Sequence, residues 1–220
     1  MTRGSPVLLL LIAASCSGVS SRVEEVPPEL RTPAAVIPPV SDRWPYPLAP
    51  DLSPGAWARY REGGGILKLA VVGKEEDGVW IETILEGDPL QASAALVAPD
   101  GAVRKAYYCE VSREGKTGVS PQALVQSPGA PPGSMKERSR ETGEEKVAVG
   151  GRELVCRLER IRYEDLEGRL LEETVLWHPE VPRVREGSDR GGLVRRKSSR
   201  ADVELLDFGK DARPVVDRPK

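Results

Sequence analysis

The chain has 220 residues, 39% of them hydrophobic and 30% charged, with a formal charge of −2; this fits one globular domain with accessory segments and excludes a strongly basic nucleic-acid face. Asparagine is absent, which removes N-glycosylation sites and Asn-Gly hairpin turns. One histidine and three cysteines restrict the catalytic and metal chemistry open to it.

The chain opens with Arg3, an apolar run from Val7 to Ala14, and small side chains at Ala13, Ala14 and Ser15 just before Cys16. This predicts a cleaved leader over residues 1–15. The run is too short to cross a bilayer as a helix, which needs about 20 apolar residues.

The stretch Ala13-Ala14-Ser15-Cys16 resembles the lipobox of bacterial lipoproteins, with Ala13 where that pattern usually carries Leu. The resemblance implies that the Cys16 thiol receives a diacylglycerol and that Cys16 becomes the first residue of the mature chain. The membrane, reached through this N-terminal lipid, is then one partner. Ser17 stands where an Asp would retain an enterobacterial lipoprotein at the inner membrane, which points to the outer membrane in a cell that has one, with the domain on the non-cytoplasmic side. Two or more acyl chains, at about 0.8 kcal/mol per buried methylene, hold firmly where one binds reversibly. The alternative is an ordinary secretory leader with Cys16 incidental.

Residues 16–54 read as a tether. Nine prolines between Pro27 and Pro54 leave neither helix nor sheet, and a polyproline-like chain rises about 3.1 Å per residue. Within it, Trp44-Pro45-Tyr46-Pro47 is the part suited to docking, on a proline-reading module or on its own domain.

A single β-rich domain is expected over residues 55–209. Ala56–Glu62, Ile66–Gly73, Val79–Glu86, Gln91–Ala98 and Val103–Val111 are short runs bounded by Gly, Asp or Pro. In the third, Trp80, Glu82 and Glu86 alternate with Val79, Ile81, Thr83 and Leu85, which predicts one wet and one buried face. Prolines and a dense mixture of charges predict a mobile loop near 115–145. Glu153–Tyr163 and Leu170–His178 then read as a hairpin turned at Glu164–Gly168, followed by strands at Leu193–Ser199 and Ala201–Phe208 and a polar tail over 210–220. The expected fold is mainly β, a curved antiparallel meander or open half-barrel with little helix.

Three short stretches, Pro54-Gly-Ala-Trp57, Trp177-His-Pro-Glu-Val-Pro182 and Gly191-Gly-Leu-Val194, are similar to those of uncharacterised envelope lipoproteins related in architecture to the open half-barrels of periplasmic lipoprotein carriers. That similarity implies a fold and no functional residue.

The chemistry points away from an enzyme. His178 would have to serve any Ser-His-Asp arrangement, yet no Gly-x-Ser-x-Gly elbow is present. Neither His-Glu-x-x-His nor Cys-x-x-Cys offers a metal site, and Gly63-Gly-Gly65 lacks the Lys-Ser/Thr of a phosphate loop. Adjacent carboxylates such as Glu172 and Glu173 point to opposite faces of a strand. No catalytic residue, metal or cofactor is therefore expected. Beyond the Cys16 anchor, Cys109 and Cys156 alternate with apolar partners, and an oxidising compartment permits a disulfide between them. Two function classes follow: a curved sheet that binds an apolar ligand or lipid, or a structural or protein-interaction module of the envelope.

Overall fold

The computed structural model describes residues 39–46, 48–112, 114–126, 135–199 and 201–218. The leader and Cys16 lie outside them. Strands dominate and no helix occurs among the described residues. In chain order the strands are β1 (Val40–Ser41), β2 (Trp57–Glu62), β3 (Gly65–Glu75), β4 (Gly78–Glu86), β5 (Leu90–Val97), β6 (Val103–Ser112), β7 (Gly115–Lys116), β8 (Ser120–Pro121), β9 (Leu124–Val125), β10 (Lys136–Val149), β11 (Arg152–Glu164), β12 (Leu170–His178), β13 (Gly187–Ser188), β14 (Gly191–Ser198) and β15 (Asp202–Gly209).

One large antiparallel sheet runs β10-β11-β12-β14-β15-β2-β3-β4-β5-β6-β7 and does not close into a barrel. It consists of two meanders, β2 to β7 and β10 to β15, joined where the domain's last long strand, β15, pairs with its first, β2. The sheet curls: the β10–β11 turn reaches β15, where a Cβ added at Gly150 would lie 2.4 Å from Asp207 Oδ1, and Arg152 Nη2 donates to the Phe208 carbonyl at 2.9 Å. Residues from both meanders therefore share one core, in which Tyr60, Leu69, Val71, Cys156, Leu176, Leu193, Val203 and Leu205 are buried.

The expected strands and the β11–β12 hairpin are present. Three expectations are corrected. The stretch near 115–145 is not one loop: β7, β8 and β9 occupy part of it, and residues 136–149 form β10, the longest strand, paired along its length with β11. Gly150 and Gly151, at φ 55° and 78°, supply the two left-handed residues of a tight hairpin turn, so a charged segment without an apolar pattern of its own is drawn into the ladder by its neighbour. The segment before residue 55 is not tether throughout. Val40 pairs with Leu124 in β9, the Trp44 amide donates to the Gly101 carbonyl at 2.8 Å, and Trp44, Tyr46, Leu48 and Leu52 pack into the concave core. Of the two dockings open to Trp44 and Tyr46, the domain's own sheet is the one seen.

The third correction concerns β4. Both of its faces are covered over most of its length: Val79 and Ile81 face the N-terminal segment, and Trp80, Glu82 and Ile84 lie beneath the C-terminal tail, while Leu85 near its end is exposed. Alternation in sequence marks two faces without saying that solvent meets either one.

Candidate functional site

The tail after β15 runs across the strands on the convex side and is held at each step. Trp57 Nε1 donates to Asp211 Oδ1 at 2.7 Å, and the Ala212 amide donates to the Gly55 carbonyl at 2.9 Å. Gly55 sits at φ 95°, and a Cβ there would lie 2.5 Å from the Lys210 carbonyl, so a glycine is required where the tail departs. The Pro54-Gly-Ala-Trp57 stretch thus has a local role as the seat of the tail's first turn. Further along, Ala212, Val215 and Val216 pack on a floor of Ala70, Val72, Ile84, Ala92, Ala94 and Cys109. Small residues in β3, β5 and β6, on either side of β4, leave the depth that an extended segment needs.

At the centre of this floor stands Glu82, fully buried. Its carboxylate accepts from the Val215 amide at 2.9 and 3.0 Å and from the Val216 amide at 2.9 Å. Burial pushes the Glu82 carboxyl up from its ordinary range, against the opposing pull of those two amides and of Arg218 and Lys116. Two outer contacts complete the clasp: Lys116 Nζ pairs with Asp217 at 2.7 Å, and the Arg218 guanidinium stacks 4.8 Å from the Trp80 ring. Sequence reading placed Glu82 on a wet face because nothing local distinguishes a solvated carboxylate from one that receives backbone donors 133 residues away.

A second buried polar cluster closes the concave side. Arg185 forks onto Glu62 with contacts of 2.5 and 2.7 Å and stacks against Tyr46 at 5.1 Å and Tyr60 at 5.6 Å. Tyr60 donates in turn to the Leu193 carbonyl at 3.2 Å. This ties the N-terminal segment, β2, β14 and the loop before β13 together.

The remaining sequence-nominated residues are separated. His178 is buried at the end of β12, with its Nδ1 accepting the Glu180 amide at 3.3 Å. The loop it opens packs on Gly191 and Gly192, where added Cβ atoms would lie 2.1 Å from the His178 carbonyl and 2.5 Å from the Val181 carbonyl. The Trp177–Pro182 and Gly191–Val194 stretches are therefore one packing unit. Among the described residues no group of three or more His, Cys, Asp or Glu is placed to hold a metal ion.

Of the two states open to Cys109 and Cys156, a bridge or two buried thiols, the structure has the second. Both thiols are free and buried. Cys156 lies in the concave core and Cys109 under the tail on the convex side, with seven strands between β11 and β6 in the sheet order. Both belong to a buried face, as their alternation implied, but the sheet has two such faces. Burial, followed by the Glu145 charge, pushes the Cys156 thiol up to about 11, and burial raises Cys109 as well. Neither thiol is expected to react with an alkylating reagent in the native protein near neutral pH, and both should label after unfolding without reductant. Mass spectrometry of the two cysteine peptides checks this, and a bridged pair in the unreduced sample would contradict the register given above.

Clefts border the N-terminal segment on both sides. One of about 590 Å³ is rimmed by Asp51, Arg152, Glu180, Arg183 and Lys210. Another, of about 330 Å³, lies between Leu48–Leu52 and the ends of β4 and β5. The first is charged and the second is what the N-terminal segment leaves of an apolar face.

Fold and site together define a class: an open, curled antiparallel sheet whose two faces are covered by the segments flanking it in the chain, with the outer edge of one long strand left without a partner strand among the described residues. No family profile, curated protein or solved structure matches this chain.

Proposed function

We propose that this protein is a membrane-anchored lipoprotein of the bacterial cell envelope whose β-domain is a non-enzymatic protein-interaction module. The anchor rests on the lipobox resemblance at Cys16 and the apolar run before it. One observation supports interaction over carriage of an apolar ligand. The faces of the sheet that would line a ligand chamber are filled by Trp44, Tyr46, Leu48 and Leu52 on one side and by Val215 and Val216 on the other. The edge of β10 carries nine consecutive exposed residues, Lys136–Glu144, and an unpaired edge is a general template for strand addition.

Two measurements test the two halves of this reading. Cys16→Ser should move the protein from the membrane fraction to the soluble fraction and abolish labelling with a radiolabelled fatty acid; unchanged fractionation and labelling would reject the anchor. A photo-crosslinker at Glu141 should capture protein in intact cells. Lipid co-purifying in stoichiometric amount, with no protein crosslink, would instead favour a carrier.

A further inference from the structure

The edge strand β10 has a charge order that fits one partner. Among the described residues its strand pairing runs to β11 alone, and the one other strand it comes near is β15, which the Gly150–Gly151 turn reaches. Such edges are usually protected by charge, and Lys136–Lys146 is rich in it. Within the hairpin Arg140 pairs with Glu137 at 2.7 Å and Glu159 at 2.6 Å, and Lys146 with Glu153 at 2.9 Å. Pairing inside one chain gives charges no reason to match themselves across a symmetry axis as well, and these do.

Two copies of one edge that continue a sheet must pair antiparallel about a two-fold axis perpendicular to it. Opposed residues then share a face, so the axis passes through a residue and its own copy. Val147 and Val149 point into the concave core, which puts Arg140, Thr142, Glu144 and Lys146 on the other face. The register break between Glu137 and Ser139 makes Arg138 an extra residue and brings Glu137 onto that same face. With the axis at Thr142, Arg140 faces Glu144 of the other copy and Glu137 faces Lys146, each pair occurring twice. No like charges oppose one another.

Every neighbouring register fails this test. An axis at Glu141 opposes that residue to itself and Glu137 to Glu144. One at Gly143 opposes Glu141 to Glu145 and Arg140 to Lys146. Axes at Arg140 or Glu144 place each on its own copy. Directly opposed like charges are destabilising and opposed unlike charges are stabilising, so the sequence selects a single register. Glu144 also has no ion-pair partner within the chain among the described residues, and in this register it gains one.

We infer that β10 is a homotypic docking edge: two copies of this chain join their sheets antiparallel about Thr142. This rests on reading the domain as an interaction module and names its partner as a second copy. Gly143, beside the axis, keeps one face of the junction free of bulk.

The full chain carrying Cys16→Ser is the material for the test. Sedimentation equilibrium should show a reversible monomer–dimer equilibrium. Lys146→Glu, which sets Glu137 against a glutamate twice, should weaken it at least about tenfold. Adding Glu137→Lys to that variant should restore it, since every opposed pair is again unlike. All of these side chains except Glu145 and the two core valines are exposed, so the variants keep the fold. Thr142→Cys should give a disulfide-linked dimer on mild oxidation in high yield, and Ser139→Cys, which faces Glu145, should not. Monomer at every soluble concentration, or equal crosslinking at the two positions, overturns the homotypic edge. Neither result touches the interaction reading, which fails separately if the Glu141 crosslinker captures no protein in cells.

Discussion

Replacing Glu82 by Ala should destabilise the domain by about 2–4 kcal/mol and free the C-terminal tail. The variant leaves the Val215 and Val216 amides without their acceptor beneath an apolar cover, and each orphaned buried donor costs about 1–3 kcal/mol. It also opens a void between β3 and β5. Urea unfolding gives the loss in stability, and hydrogen exchange at residues 212–218 gives the release. A loss below about 0.5 kcal/mol, the range of ordinary surface changes, would mean that the carboxylate does not hold the tail.

The same residue gives the clasp a pH dependence with a definite sign. Burial raises the folded-state carboxyl of Glu82 above its unfolded value, so the folded form holds its proton more tightly. Its contribution to stability is then complete below the unfolded value and is lost as pH rises through the folded one. Asp211 acts oppositely: the hydrogen bond from Trp57 holds its carboxyl below the usual range, and its contribution is lost as pH falls through that lowered value. The tail should therefore be held most firmly in mild acid, above the titration of Asp211 and below that of Glu82. Glu82→Gln, which keeps one acceptor oxygen and carries no charge, should flatten the rise between neutral and mildly acidic pH while leaving the loss at lower pH intact.

The second large effect is expected at Glu62. Arg185 is nearly fully buried by side chain, at 7% exposure, and Glu62 is its bidentate partner. Glu62→Ala leaves that guanidinium with its charge uncompensated between Tyr46 and Tyr60. Breaking a buried pair from one side costs about 3–5 kcal/mol, and the partial exposure of Glu62 puts this one toward the lower figure. At about 2–4 °C per kcal/mol for a domain of this size, the melting temperature should fall by roughly 6–12 °C. Replacing both partners, as Glu62→Leu with Arg185→Met, should cost less than the single change, because no charge is then stranded. If the double variant is the worse of the two, the pair contributes through shape and not through charge.

These two sites bracket what the sequence carried. Strand existence was legible wherever the side chains alternate between short breaks: the runs around Leu69, Ile81 and Cys109 are all strands, and so are both arms of the hairpin turned at Glu164–Gly168. Period-2 alternation is a local property, and local properties can be read along the chain. β10 was missed for the same reason. Its outer two-thirds is charged on both faces, and it is a strand only because Gly150-Gly151 folds it back onto β11.

The sequence by itself determined the alternating strands outside β10, the absence of amphipathic helix patterning, and the side-chain inventory, with one histidine and three cysteines. It also determined that Cys109 and Cys156 face inward. Tertiary structure alone decided that inward means two different faces, which leaves the thiols unbridged. It alone paired β2 with β15 and laid the N-terminal segment in the concave face. It placed Glu82 under the tail, where a sequence reader sees only another surface carboxylate. The physical reason is common to all of these. Alternation states which side of a strand a residue takes, whereas burial depends on what covers that side, and the cover over Glu82 comes from a segment 133 residues away in the chain.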